Sequence, residues 1–174
     1  MRFLPASVDD VVLVESEPIS DERGSFARLY CPEELSAAGI AFTPRQTSLS
    51  RTRQRLTLRG MHYTTEPEAK LVRCTRGRIF DVAIDIRADS RTFRRWCGFE
   101  LDAAGARALY ISAGVGHGFL TLEDDCDVIY QIDRIYRDGF DAGVRWDDPA
   151  FAIGWPEQPR VIHPRDAAYP DFKP

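Results

Sequence analysis

Apolar positions along the chain recur in short, closely spaced runs rather than at helical intervals. They fall at Val11 to Ser16, Gly24 to Tyr30, Phe42 to Ser50, Leu56 to Tyr63, Lys70 to Arg76, Arg78 to Arg87, Arg95 to Leu101, Ala108 to Ile111, Gly118 to Leu122 and Asp127 to Ile132. Runs of this length and spacing predict an all-β sandwich or barrel. Arg76-Gly77 separates two of the strongest runs and predicts a tight hairpin. Beyond it Phe80, Val82, Ile84 and Ile86 alternate with Asp81, Ala83 and Asp85, so one face is apolar and the other small and acidic. A single helix is predicted before the C-terminal region, Pro32 to Ala38, with acidic residues in its first turn. From Asp147 onward six prolines interrupt any periodicity, and the segment is expected to wrap the domain as irregular coil with short turns.

Composition narrows the picture. A chain of 174 residues without repeats or linkers fits one domain, residues 1–174. With 23 basic and 27 acidic residues the net charge is −4, which argues against nucleic acid as a partner. Cys31, Cys74, Cys97 and Cys126 form no CxxC pair and no dense framework, so they are expected to be reduced packing residues of a cytoplasmic protein. Neither a secretion signal nor a membrane-length apolar run is found, and no membrane association is expected.

Two mid-chain histidines carry the candidate chemistry. His62 sits in Arg59-Gly60-Met61-His62-Tyr63 and His117 in Gly116-His117-Gly118-Phe119, both among glycines at expected strand ends. Imidazoles so placed, near Lys70 and arginines, point to proton transfer on an anionic small molecule. Strict alternation would put Arg59 and His62 on opposite faces, but a bulge at Gly60 would bring both into one pocket. The acidic face of Asp81 has two readings: a solvated strand face, or the inside of a small barrel where Asp81 accepts a ring N–H from His117. The other arginines nearby, at 45, 51, 53 and 55, fit a solvated edge. No His-x-His pair is present and residue 64 is Thr, so neither a metal nor any other cofactor is expected.

Six segments in order are similar to those of a known family: Asp21-Glu22-Arg23-Gly24-Ser25-Phe26, Leu58 to Tyr63, Ala69 to Arg73, Phe80 to Arg87, Gly116 to Phe119 and Arg145-Trp146-Asp147-Asp148-Pro149. Together they resemble the dTDP-4-dehydrorhamnose 3,5-epimerase family of cupins from about residue 8 to the end. The resemblance implies a cupin double-stranded β-helix, or jelly-roll barrel, with short peripheral helices. It also implies a homodimer without metal, acting on a dTDP-4-keto-6-deoxy sugar. Residue by residue it implies His62 as the base, Asp166 as its carboxylate partner, Lys70 as the cation beside the ketone oxygen and Tyr130 as the acid on the opposite face. His117 falls in the sugar pocket. Arg23 and Arg59 match diphosphate positions, and Gln46 and Phe26 match nucleotide-facing positions. Ser48, where the family commonly has Asn, and Thr64, where it commonly has Gln, depart from the pattern on the substrate side. Alternatives that share the fold are a 3-epimerase and a 3,4-ketoisomerase. A non-catalytic nucleotide-sugar-binding cupin is the alternative of another class.

Overall fold

The computed structural model describes residues 1–173. In chain order it contains β1 (Arg2–Pro5), β2 (Val11–Glu15), β3 (Ile19–Asp21), β4 (Gly24–Phe26), α1 (Pro32–Ala37), β5 (Gln46–Thr52), β6 (Thr57–Thr64), β7 (Lys70–Arg76) and β8 (Arg78–Asp85). There follow β9 (Trp96–Asp102), β10 (Arg107–Ile111), β11 (Val115–Thr121), β12 (Cys126–Ile132), β13 (Asp141–Gly143), β14 (Val161–Ile162) and α2 (Pro164–Ala167). Two sheets face each other as a jelly-roll barrel. One runs β1-β2-β10-β7-β12-β5 and the other β13-β6-β11-β8-β9, while β3 and β4 form a separate hairpin.

The barrel interior is filled from both sheets, by Val11 and Leu13 of β2, Val72 of β7, Ala83 of β8, Leu109 of β10 and Val128 of β12. A second apolar layer lies outside the sheet that contains β8, where Met61, Val82 and Ile84 pack on Val144 and Phe151. Both faces of β8 are therefore covered, and Asp81 and Asp85 are buried completely. Of the two readings of the acidic face, the structure shows the barrel interior. The helix α1 begins on a proline, carries Glu33 and Glu34 in its first turn and buries Leu35, as its sequence dictates.

The ten apolar runs all contribute strands, with shifted ends. The run Gly24 to Tyr30 shortens to β4, and its hairpin with β3 projects with Ile19 and Phe26 exposed. The tail departs from the expectation of irregular coil. Val161 and Ile162 add to β6 in parallel, and α2 follows at once. Pro164 opens α2 at a position where no intrahelical N–H is needed, and His163 caps it by accepting the Arg165 N–H at Nδ1, 3.2 Å away.

Candidate active site

The functional side chains converge on a cavity of about 870 Å³ that opens between the two sheets. On β6 and β11 the register slips, so that three steps of β6, His62 to Arg59, span two of β11, His117 to Phe119. The extra residue falls at Gly60. A Cβ there would stand 2.5 Å from the Gly118 Cα, so only glycine permits the approach of these two strands. The slip resets the side-chain alternation, and Arg59 and His62 both line the cavity.

His62 and His117 lie directly opposite each other in register, and each has its own carboxylate. His62 Nε2 is 2.9 Å from Asp166 Oδ1, and Asp166 Oδ2 accepts the N–H of Gly60 at 3.3 Å. A carboxylate only accepts, so it holds the proton on Nε2 and leaves Nδ1 as the free lone pair. Burial alone would push the Asp166 carboxyl up. The hydrogen bond and charge of His62, the Gly60 N–H and Arg165 outweigh it and hold the group below the ordinary carboxylate range. The His117 Nε2 lies 2.7 Å from Asp81 Oδ1, while Asp81 Oδ2 has no partner among the described residues.

The facing sheet supplies the opposite wall. Tyr130 of β12 and Lys70 of β7 line the cavity, and the Lys70 Nζ lies 3.4 Å from Glu68. Arg59 donates to Thr52 Oγ1 at 3.0 Å and pairs with no carboxylate among the described residues, which leaves a cation free for an anionic ligand. Gln46 lines the mouth, with its Oε1 accepting the Tyr136 N–H at 3.0 Å. Ser48 stands beside the lining, its hydroxyl 3.4 Å from Gln46 Nε2. Arg23 and Phe26 are not brought to this cavity. They ride on the exposed β3–β4 hairpin, where Arg23 pairs with Asp21 and Phe26 is 74% exposed.

The sequence reading missed Tyr136, Asp141, His163 and Arg165, which also line the cavity. The Tyr136 hydroxyl donates to Asp141 at 2.6 Å. The Arg165 Nε sits 3.4 Å from Asp166 Oδ1 and its Nη2 3.5 Å from His62 Nε2. Arg165 adjoins Asp166 in sequence, and that adjacency was the signal available. No group of three or more metal-ligating side chains is gathered among the described residues.

An imidazole held by a buried carboxylate on one sheet, a phenol on the other and cations between them define, on this cupin barrel, an isomerase that works by moving protons. Residues 5–174 match the family model for dTDP-4-dehydrorhamnose 3,5-epimerase, and the chain belongs to that family. It is 39% identical over 158 residues to the dTDP-4-dehydrorhamnose 3,5-epimerase of Methanothermobacter thermautotrophicus, covering 89% of this chain and 84% of that protein. The Bacillus anthracis dTDP-4-dehydrorhamnose 3,5-epimerase solved with TDP and PPi bound superposes with a TM-score of 0.94 at 32% identity, covering 98% of this chain and 99% of that one. The Legionella pneumophila dTDP-6-deoxy-D-glucose-3,5-epimerase in complex with dTDP-4-keto-L-rhamnose gives 0.90 at 32% identity, covering 97% and 90%.

Proposed function

We propose that this cavity inverts C3 and C5 of dTDP-4-keto-6-deoxyglucose to give dTDP-4-keto-L-rhamnose, with His62 as base and Tyr130 as acid. The observation that carries the reading is the placement of these two groups on opposite sheets with the cavity between them. Inverting a carbon beside a ketone requires removal of a proton from one face and its return to the other. His62 takes the proton at the nitrogen that Asp166 leaves free. The electrons pass to the ketone oxygen, where the Lys70 ammonium offsets the developing charge. Tyr130 then donates from the opposite wall, and before the next carbon is processed His62 gives up its proton to solvent while the Tyr130 phenolate takes one up from solvent. Arg59 holds the diphosphate and Gln46 faces the nucleotide, while His117, fixed by Asp81, contacts the sugar.

The exposed hairpin belongs to the same reading. Arg23 and Phe26 match ligand positions yet lie outside their own chain's cavity, so the active form is a homodimer in which each hairpin reaches the cavity of a second copy. Sedimentation would measure the dimer. Mixing Arg23→Ala with His62→Ala chains should restore activity at one site in mixed dimers.

The deciding experiment is incubation of the 4-keto sugar nucleotide in deuterated water. Label at both C3 and C5 with inverted products supports the reading, whereas label at C3 alone would make the protein a 3-epimerase. Tyr130→Phe should keep exchange on the His62 face while epimerised product falls steeply. Unchanged inversion in that variant would remove Tyr130 from the acid role.

A further inference from the structure

The Lys70 ammonium stands at one end of a line of alternating charges that the chemistry above does not use. Lys70 and Glu68 both line the cavity, and the Lys70 Nζ lies 3.4 Å from Glu68 Oε1, with side chains only 14% and 9% exposed. Asp133 fixes the residue between them. Its Oδ1 accepts the Ala69 N–H at 2.9 Å, and its own N–H donates to the Ala69 carbonyl at 3.3 Å, which carries the pairing of β7 with β12 one step past Lys70 and Ile132. Arg134 follows Asp133 and stays off the cavity lining. Its Nε is 3.9 Å from Glu68 Oε2, its Nη2 pairs with Glu66, and its guanidinium carbon lies 5.9 Å from the centre of the Phe140 ring. Its Nη1 is buried and has no hydrogen-bond partner among the described residues. Starting from the cavity, the order is therefore Lys70, Glu68, Arg134, Glu66, each charge beside its opposite.

A cation this deeply buried is costly without a counterion, yet a counterion in full contact would cancel the charge that a developing enolate needs. Dividing one carboxylate between two cations resolves the conflict. Granted the role of Lys70 given above, we propose that Glu68 and Arg134 are positioning residues for the reaction. Glu68 aims the Lys70 ammonium at the ketone oxygen, and Arg134, by drawing on the same carboxylate, stops Glu68 from neutralising it. As negative charge grows on the ketone oxygen, Lys70 turns towards it and Glu68 leans to Arg134, whose unused donor gives the guanidinium capacity for a further acceptor. Both residues act through Lys70, and neither exchanges a proton with the sugar.

Steady-state kinetics with the 4-keto sugar nucleotide test this, together with calorimetry of dTDP binding on the same samples. Glu68→Gln keeps the shape of the side chain and removes its charge, and it should lower kcat by about 10- to 100-fold through misplacement of the ammonium. KM and dTDP affinity should stay within about twofold of wild type. Arg134→Gln, which leaves Glu68 to Lys70 alone, should lower kcat as well, by less. In a Lys70→Ala background neither substitution should lower kcat further, because the group they act through is gone. A structural role would instead lower dTDP affinity and the folded fraction whether or not Lys70 is present. Wild-type kcat in Glu68→Gln beside a crippled Lys70→Ala would overturn this assignment alone, as would a kcat loss that persists without Lys70. Wild-type kcat in Lys70→Ala would overturn the role of Lys70 itself and this assignment with it. If Glu68→Gln does not fold, Arg134→Gln with and without Lys70 carries the same decision.

Discussion

Asp81 and Asp85 lie on one strand, face the same way and are equally buried, yet their surroundings are opposite. Asp85 is saturated. Its Oδ1 accepts the N–H and Nε–H of Arg87 at 3.1 and 2.9 Å, and its Oδ2 accepts from Arg87 Nη2 at 2.9 Å, Ser90 at 2.5 Å and Thr92 at 2.6 Å. Burial would raise this carboxyl, but the hydrogen bonds from Arg87, Ser90 and Thr92 win and hold it at about 2. Among the described residues Asp81 has one partner, His117, and a second oxygen with none. A carboxylate satisfied on every side makes structure. One that spends its only strong hydrogen bond on an imidazole facing a cavity is placed to orient a reacting group.

The sharpest way to separate the two settings is to remove a group from each. His62→Ala, in the cavity, should lower epimerisation and solvent exchange by about 100- to 10,000-fold. The unfolding midpoint should stay near wild type, because the side chain is a third exposed. A collapse in stability instead would make the cavity histidine structural too.

Asp85→Ala, by contrast, should cost about 3 kcal/mol of stability by stranding Arg87, Ser90 and Thr92, with turnover per folded molecule preserved. Denaturant melts and active-site titration read both quantities. The same group predicts an acid limb. Its folded value of about 2 lies below the unfolded value of about 3.9, so its contribution is full above about pH 4 and lost as pH falls toward 2. That contribution is about 2.6 kcal/mol and should be missing from the acid denaturation curve of Asp85→Ala.

Arg59→Ala should weaken dTDP by about 1.5 to 3 kcal/mol, the worth of a charge-assisted hydrogen bond, and leave the melting curve in place. Calorimetry with dTDP decides it, and unchanged affinity would return Arg59 to a purely structural bond with Thr52. The smallest effect is expected from Asp81→Asn. Trading a charge-assisted for a neutral hydrogen bond to His117 should slow turnover by about tenfold. Stability loss as large as that of Asp85→Ala would erase the distinction between the two carboxylates.

The barrel was legible because its strands bury alternating residues over local stretches, and the period of two survives in the sequence around Phe80 to Ile86. The placement of the site came partly from local signals. Glycines flanking His62 and His117 marked the slip between β6 and β11, and the alternation of Asp81 with apolar neighbours aimed it inward. What local pattern did not carry is contact between distant segments. The two residues of β14 are too few to show a period, and Asp141 and Tyr136 come together only once β13 pairs with β6. Phe26 and Arg23 show the reverse. Their motif was plain, but their place outside the cavity follows from a hairpin that packs on neither sheet.

The parallel pairing of β14 with β6 has a consequence for synthesis. His62 emerges from the ribosome long before Asp166, and the two are separated by 104 residues of chain. Once β13 has paired, the two main sheets lack only the two residues of β14, so a nascent barrel can close with His62, the proposed base, still undirected. Only the docking of Val161 and Ile162 along Thr57 and Leu58 brings Asp166 to the ring. A chain cut short within the tail would thus hold a shaped but idle cavity, and catalytic competence would report that translation had run almost to its end.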